Sequence, residues 1–127
     1  MNIFIETITS AEPQKRNRSF FELSRHMQSK ELLGALLELE EFRKTTPNLY
    51  DKVRAILFLY AGFRFCLISA KETPKIGKVP YTGFEDLLAR RFEQAIHAFY
   101  QEIKLQGPNA TLFSALAECY TSSLSKR

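Results

Sequence analysis

An all-α fold follows from three observations on the sequence. Apolar residues recur three and four apart through the long segments, no segment alternates apolar and polar residues with a period of two, and the breaks are short and rich in proline, glycine or asparagine. Short connections return consecutive helices onto each other, so the expectation is about five helices in an antiparallel bundle or a short helical-hairpin array. The chain has 127 residues, 45% hydrophobic and 25% charged. That is one domain's length, able to bury roughly two-thirds of its unfolded surface. The apolar content excludes a disordered tail, and two cysteines are too few for a disulfide scaffold.

Residues 1–18 are expected as an N-terminal arm or short helix, ending in the polar, basic stretch AEPQKRNRS, and residues 19–127 as a single helical domain. In FFELSRHMQSKELLGALLELEEFRKT the apolar positions Phe20, Leu23, Met27, Leu32, Leu33, Leu36, Leu37, Leu39 and Phe42 form one long helix, or two divided near Gln28 and Ser29. At Thr45-Thr46-Pro47-Asn48, Thr46 is placed to cap and Pro47 to open the next helix. From Pro47 to about Ala70 apolar residues surround the helix, which predicts a central position. The loop Lys71 to Tyr81 ends in Thr82-Gly83-Phe84-Glu85, a capping-box pattern. From Phe84 the stripe Leu87, Leu88, Phe92, Ala95, Ile96, Phe99 and Ile103 predicts one amphipathic helix. Gln106-Gly107-Pro108-Asn109 stops it, and Asn109 caps a last helix with Leu112, Phe113, Leu116, Ala117 and Tyr120 facing inward.

The formal net charge of +4 is unevenly spread. Lys15, Arg16, Arg18, Arg25 and Lys30 against Glu22 make residues 15–30 strongly basic, and Glu31, Glu38, Glu40 and Glu41 then cancel that block. The surplus comes from scattered bases, which disfavours a nucleic-acid surface. The start MNIFIETITS has Glu6, no preceding base and no apolar stretch of signal-peptide length, so a cytoplasmic protein is expected. The run Ala55 to Ala70 is interrupted by Arg64 and falls short of the about 20 apolar residues of a membrane span, so no membrane association is expected. Cys66 and Cys119 read as reduced packing residues.

The chemistry inventory is thin. The glycines are isolated, so no phosphate-cradling loop is present, and no nucleophile elbow occurs. His26 and His97 sit on different predicted helices. Glu93 and His97 are four apart, the reading being a solvated pair, since di-iron bundles use Glu-x-x-His twice. No catalytic residue, metal ligand or cofactor is therefore assigned. Arg54 and Arg64 lie within the most apolar helix, where a buried guanidinium must find a partner. Asp51 is the nearest acid to Arg54. For Arg64 the alternatives are a helix-joining bond to a distant acid such as Glu93 or Glu118, or an anion or peptide-carboxylate clamp with Lys71 one heptad farther on the same face. The loop 71–81 adds Lys75, Lys78 and Tyr81 as cations beside an aromatic. Arg64, Lys71, Lys75, Lys78 and Tyr81 are the candidate binding residues.

RFEQAIHAFYQEIKLQGPNATLFSALAECY resembles the second helix of one tetratricopeptide repeat running into the first helix of the next, with Ala95, Phe99, Pro108, Leu116, Ala117 and Tyr120 near the family's small, aromatic and proline positions. LEEFRKTTPNLYDKVRAILFLYA repeats the plan, with its Pro-Asn pair 61 residues earlier, where consecutive repeats lie ~34 apart. The resemblance implies an interaction scaffold with no catalytic residue to carry over. YDKVRAILFLYAGFRF, VPYTGFEDLLARRFEQAI and LFSALAECY together resemble the N-terminal helical segment of large bacterial proteins labelled UTP-glucose-1-phosphate uridylyltransferase. That would make the chain a fragment or accessory part of a larger sugar-nucleotide protein. The leading expectation is a non-catalytic helical module that binds another protein or another domain of a longer polypeptide. The sugar-nucleotide fragment is the alternative, and a nucleic-acid-binding domain the least favoured of the three.

Overall fold

The computed structural model of the chain describes residues 2–71, 73–77 and 80–124. The described residues are all-α, with eight α-helices and one π-helical turn where about five helices were expected. They are α1 (Ile3–Thr9), α2 (Pro13–Arg16), α3 (Phe20–Ser24), α4 (Ser29–Thr45), α5 (Leu49–Ala61), the π turn (Gly62–Leu67), α6 (Tyr81–Leu88), α7 (Phe92–Gln106) and α8 (Ala110–Leu124).

The extra elements arise from local chemistry that breaks longer apolar patterns. At the start, the Asn2 side chain accepts from the amides of Phe4 and Ile5 and opens α1, while its Nδ2 donates to the Ala35 carbonyl of α4. The first helix is thus bonded to the body, and Phe4 and Ile8 are fully buried. Phe4 stacks on Phe20 and meets Phe58 edge-on, which ties α1, α3 and α5 together. The Ser19 hydroxyl caps α3 through the Glu22 amide, and the chain breaks before Ser29, giving two helices where one or two were expected.

Three expected features differ in the structure. The cap of α5 is Asn48, whose Oδ1 accepts from the Asp51 amide, so Pro47 lies outside the helix and Thr46 does not cap it. α6 already begins at Tyr81, which places Thr82 inside its first turn, and the capping box is not formed. The predicted helix through Phe84 to Ile103 is broken at Arg90, which sits in the left-handed region at φ 63°. There the Arg91 amide donates to the Asp86 carbonyl and the Arg90 amide to the Leu87 carbonyl, the two bonds of a Schellman motif. Arg91 also pairs with the Asp86 carboxylate at 2.7 Å, so the turn is held by its own side chains. The stripe continued across the break because α6 and α7 pack on each other.

The other terminators behave as read. Gly107 takes φ 90° after the last turn of α7, and Asn109 caps α8 by accepting from the Leu112 amide. The three-residue connections 46–48 and 107–109 fold α4 with α5 and α7 with α8 into two hairpins, and α5 packs on α8 to join them. Leu36 and Leu39, Leu59 and Phe63, Phe99, Leu112 and Leu116 meet in one core. α6 lies outside this core against α7 and buries only Gly83. No helix among the described residues is long and apolar enough to cross a membrane.

Candidate functional site

The π turn decides what the outer surface of α5 presents. One extra residue per turn shifts the side-chain register, so Gly62, Phe63 and Leu67 point into the core while Arg64 and Phe65 point out. Gly62 is required at the entry. A Cβ there would stand 2.6 Å from Leu36 Cδ1 and 3.1 Å from the Phe20 ring, so its absence lets α4 and α3 close onto the turn.

Phe65 remains 53% exposed and meets the 52% exposed Phe21 of α3 at 6.1 Å between ring centroids. Tyr60 also packs edge-on with Phe65, at 5.8 Å between ring centroids. One turn earlier, Leu57 is exposed on the same helix. Beside Phe21 a cleft of about 730 Å³ opens between α3 and the π turn, with Met27, Leu32, Cys66 and Ala70 along its walls and Arg25 at its edge. The result is a contiguous aromatic and aliphatic face with a depression next to it.

Arg64 lies at the border of this face. It is exposed, not the buried guanidinium expected from its apolar helix, and its guanidinium carbon stands 5.9 Å from the centroid of the Phe65 ring. Neither Glu93 nor Glu118 pairs with it: Glu93 binds Arg43, and Glu118 accepts from the Ser122 hydroxyl. On its other side Arg64 lines a groove of about 580 Å³ with Ile68, Lys75, Phe84, Leu87 and Glu118. Lys75 reaches that groove with its Nζ donating to the carbonyls of Ile68 and Ala70, where it satisfies the open end of the helix. The loop is further pinned by the Ala110 amide on the Pro74 carbonyl and the Gly77 amide on the Thr111 hydroxyl. Lys71 and Tyr81 are exposed and do not line the groove, and Lys78 lies outside the described residues. The structure therefore brings together Arg64 and Lys75 of the five.

Arg54 does not use Asp51. Its Nη2 donates to the Arg16 carbonyl at 2.9 Å, and its guanidinium stacks 5.2 Å over the Phe58 ring, which fastens α2 to α5.

The arginine that does enter the interior is Arg43. It is 2% exposed and forms two bidentate pairs, with Glu40 one turn earlier and with Glu93 of α7, at 2.7–2.9 Å. The Tyr120 hydroxyl donates to Glu40 Oε1 at 2.6 Å, and the Tyr100 hydroxyl lies 2.7 Å from that of Tyr120. This polar network joins α4, α7 and α8 with every buried side-chain polar atom satisfied among the described residues. Its hydrogen bonds to Arg43 hold the Glu93 carboxyl below the usual range, and burial pushes both tyrosines up. Glu93 is thus half of a helix-joining clamp, in place of the solvated pair with His97 read from the sequence. One signal was available: Leu32, Leu36, Leu39 and Arg43 continue a single stripe on α4, so an arginine occupies a core-facing position.

Both cysteines are free thiols; burial lifts Cys119 to about 12 and raises Cys66 as well. Among the described residues no three His, Cys, Asp or Glu side chains converge to hold a metal. Comparisons of the chain with protein-family models, curated proteins and solved structures return no match.

Proposed function

We propose that the protein is a non-catalytic helical interaction module, and that the outer face of α3, α5 and the π turn binds another protein or another domain of a longer polypeptide. The observation that carries this reading is the aromatic pair Phe21 and Phe65, each half exposed, with Phe21 lining the α3 cleft. Single exposed apolar residues are ordinary, whereas a contiguous set beside a cleft is characteristic of an interface core. The π turn adds weight, because such turns inside a helix are frequent at functional sites. The tetratricopeptide-like sequence of the two hairpins supports the same class of function. Two unpaired thiols fit a reducing compartment such as the cytoplasm.

The test is site-specific photo-crosslinking of the full chain in extract of its native cells. A benzophenone-bearing residue in place of Phe65 should trap a discrete partner that is lost when Leu57→Ser is added. The same probe in place of Lys104, exposed on α7, should trap none. Equal crosslinking from both positions, or none from Phe65, overturns the proposal.

A further inference from the structure

We propose that the occupant of this face is an amphipathic helix with acidic flanks, contributed by a partner protein. This rests on the interaction reading above and specifies the partner.

The shape argues for a helix. Leu57, Tyr60, Ala61 and Phe65 run along the outer side of α5 and the π turn, at the spacing one helix offers to another. The cleft bounded by Phe21, Met27, Leu32 and Cys66 lies beside that line, and its volume of about 730 Å³ has room for one large apolar side chain. A partner helix laid along α5 would set residues i, i+3 and i+7 on the stripe and turn one anchor into the cleft, the usual way a helix occupies an apolar groove.

The charge argues for acid on that helix. From Lys52 to Lys71 the sequence holds no Asp or Glu. Arg25 edges the cleft on one side and Arg64 borders Phe65 on the other, and neither is paired with an acid among the described residues. The nearest carboxylate on α3, Glu22, is already bonded to Arg18. Carboxylates flanking the apolar stripe of a partner would meet both guanidinia. A second copy of this chain is the poorer occupant, because a two-fold pairing would set a face that carries Arg25 and Arg64 against another copy of the same basic face. A single-stranded nucleic acid is disfavoured too. The rings of Phe21 and Tyr60 stand at 65° and 88° to that of Phe65, so the three offer no parallel planes for successive bases, and Arg54 is spent on Arg16 and Phe58.

The experiment titrates the full chain with three labelled probes by fluorescence anisotropy. They are a 20-residue helical peptide with Leu at i, i+3 and i+7 and Glu on the flanks, the same peptide with Lys for Glu, and a thymidine 20-mer. The Glu peptide should bind saturably below about 1 mM. Arg64→Glu with Arg25→Glu should weaken it by about tenfold or more, Arg64→Lys should restore most of the loss, and rising salt should weaken it. Phe65→Ser should remove binding while the circular dichroism spectrum is unchanged. Equal or tighter binding of the Lys peptide or of the oligonucleotide overturns the proposal, as does a dimer in sedimentation that Phe65→Ser dissociates. Failure of the Glu peptide while the crosslink at Phe65 persists removes the acidic helix and leaves the interaction reading intact. Failure of both removes both.

Discussion

Replacing Arg43 with methionine should destabilise the fold more than any other single charge removal. The side chain is similar in length and apolar, so the core keeps its packing, but Glu40 loses the one cation paired with it among the described residues. Glu40 is 5% exposed and keeps just the Tyr120 hydroxyl as a donor, so it is left as a buried, uncompensated carboxylate. Breaking a buried pair from one side costs about 3–5 kcal/mol. Glu93 contributes little to that cost, because its side chain is 63% exposed and returns to water. A 127-residue domain unfolds with an entropy of about 0.27 kcal/mol/K, so Tm should fall by roughly 11–19 °C. Adding Glu40→Gln removes the buried charge, keeps an acceptor for Tyr120, and should recover at least about half of the loss. Urea denaturation of wild type, Arg43→Met and the double variant measures the loss and its recovery, and thermal unfolding measures the fall in Tm. A loss below about 1 kcal/mol for Arg43→Met, typical of an exposed pair, would show that the network is not what joins α4 to α7 and α8.

Further outcomes follow from the same geometry. Glu93 is held below the ordinary carboxylate range by Arg43, so its contribution is present above the unfolded carboxylate pKa and is lost as pH falls through the lower folded value; Glu93→Gln should flatten the acid limb of the stability profile. Arg90 occupies the left-handed region, where a side chain costs about 1–2 kcal/mol, so Arg90→Gly should raise stability by about 1 kcal/mol despite losing the contact of its guanidinium with the Phe92 ring. With Cys119 fully buried and its pKa near 12, native protein at pH 8 should be alkylated at the partly buried Cys66 first, and at Cys119 only on unfolding, as read by mass spectrometry.

The helical class was legible because each core stripe repeats at helical spacing, and Gly107 and Asn109 end and begin helices by chemistry that is local to four residues. The break at Arg90 was not, because nothing in Leu88-Ala89-Arg90-Arg91 marks a turn; the conformation is imposed by the Arg91–Asp86 pair and by α6 folding back on α7. The same limit applied to the arginines. The rule that a buried guanidinium needs a distant acid was sound, and Glu93 is that acid, but burial is a tertiary property. The apolar neighbours of Arg54 and Arg64 pointed at the wrong positions, while Arg43, amid Glu40, Glu41 and Lys44, is the one turned inward. The exposure of Phe65 was not legible either, because a regular helix continued through Gly62 hides the shift made by the π turn. Arg64 lies exposed beside Phe65, where the apolar residues around it in the sequence had pointed to a helix-joining bond or a clamp.

The outer face of α3 and the π turn is tested most directly by amide hydrogen exchange of the full chain, alone and with the partner trapped through Phe65. Slowed exchange should be confined to residues 20–27 and 57–70, with the amides of α6 and α7 unchanged. Protection that falls instead on 81–106, or none at all, would contradict an interaction surface at Phe21 and Phe65.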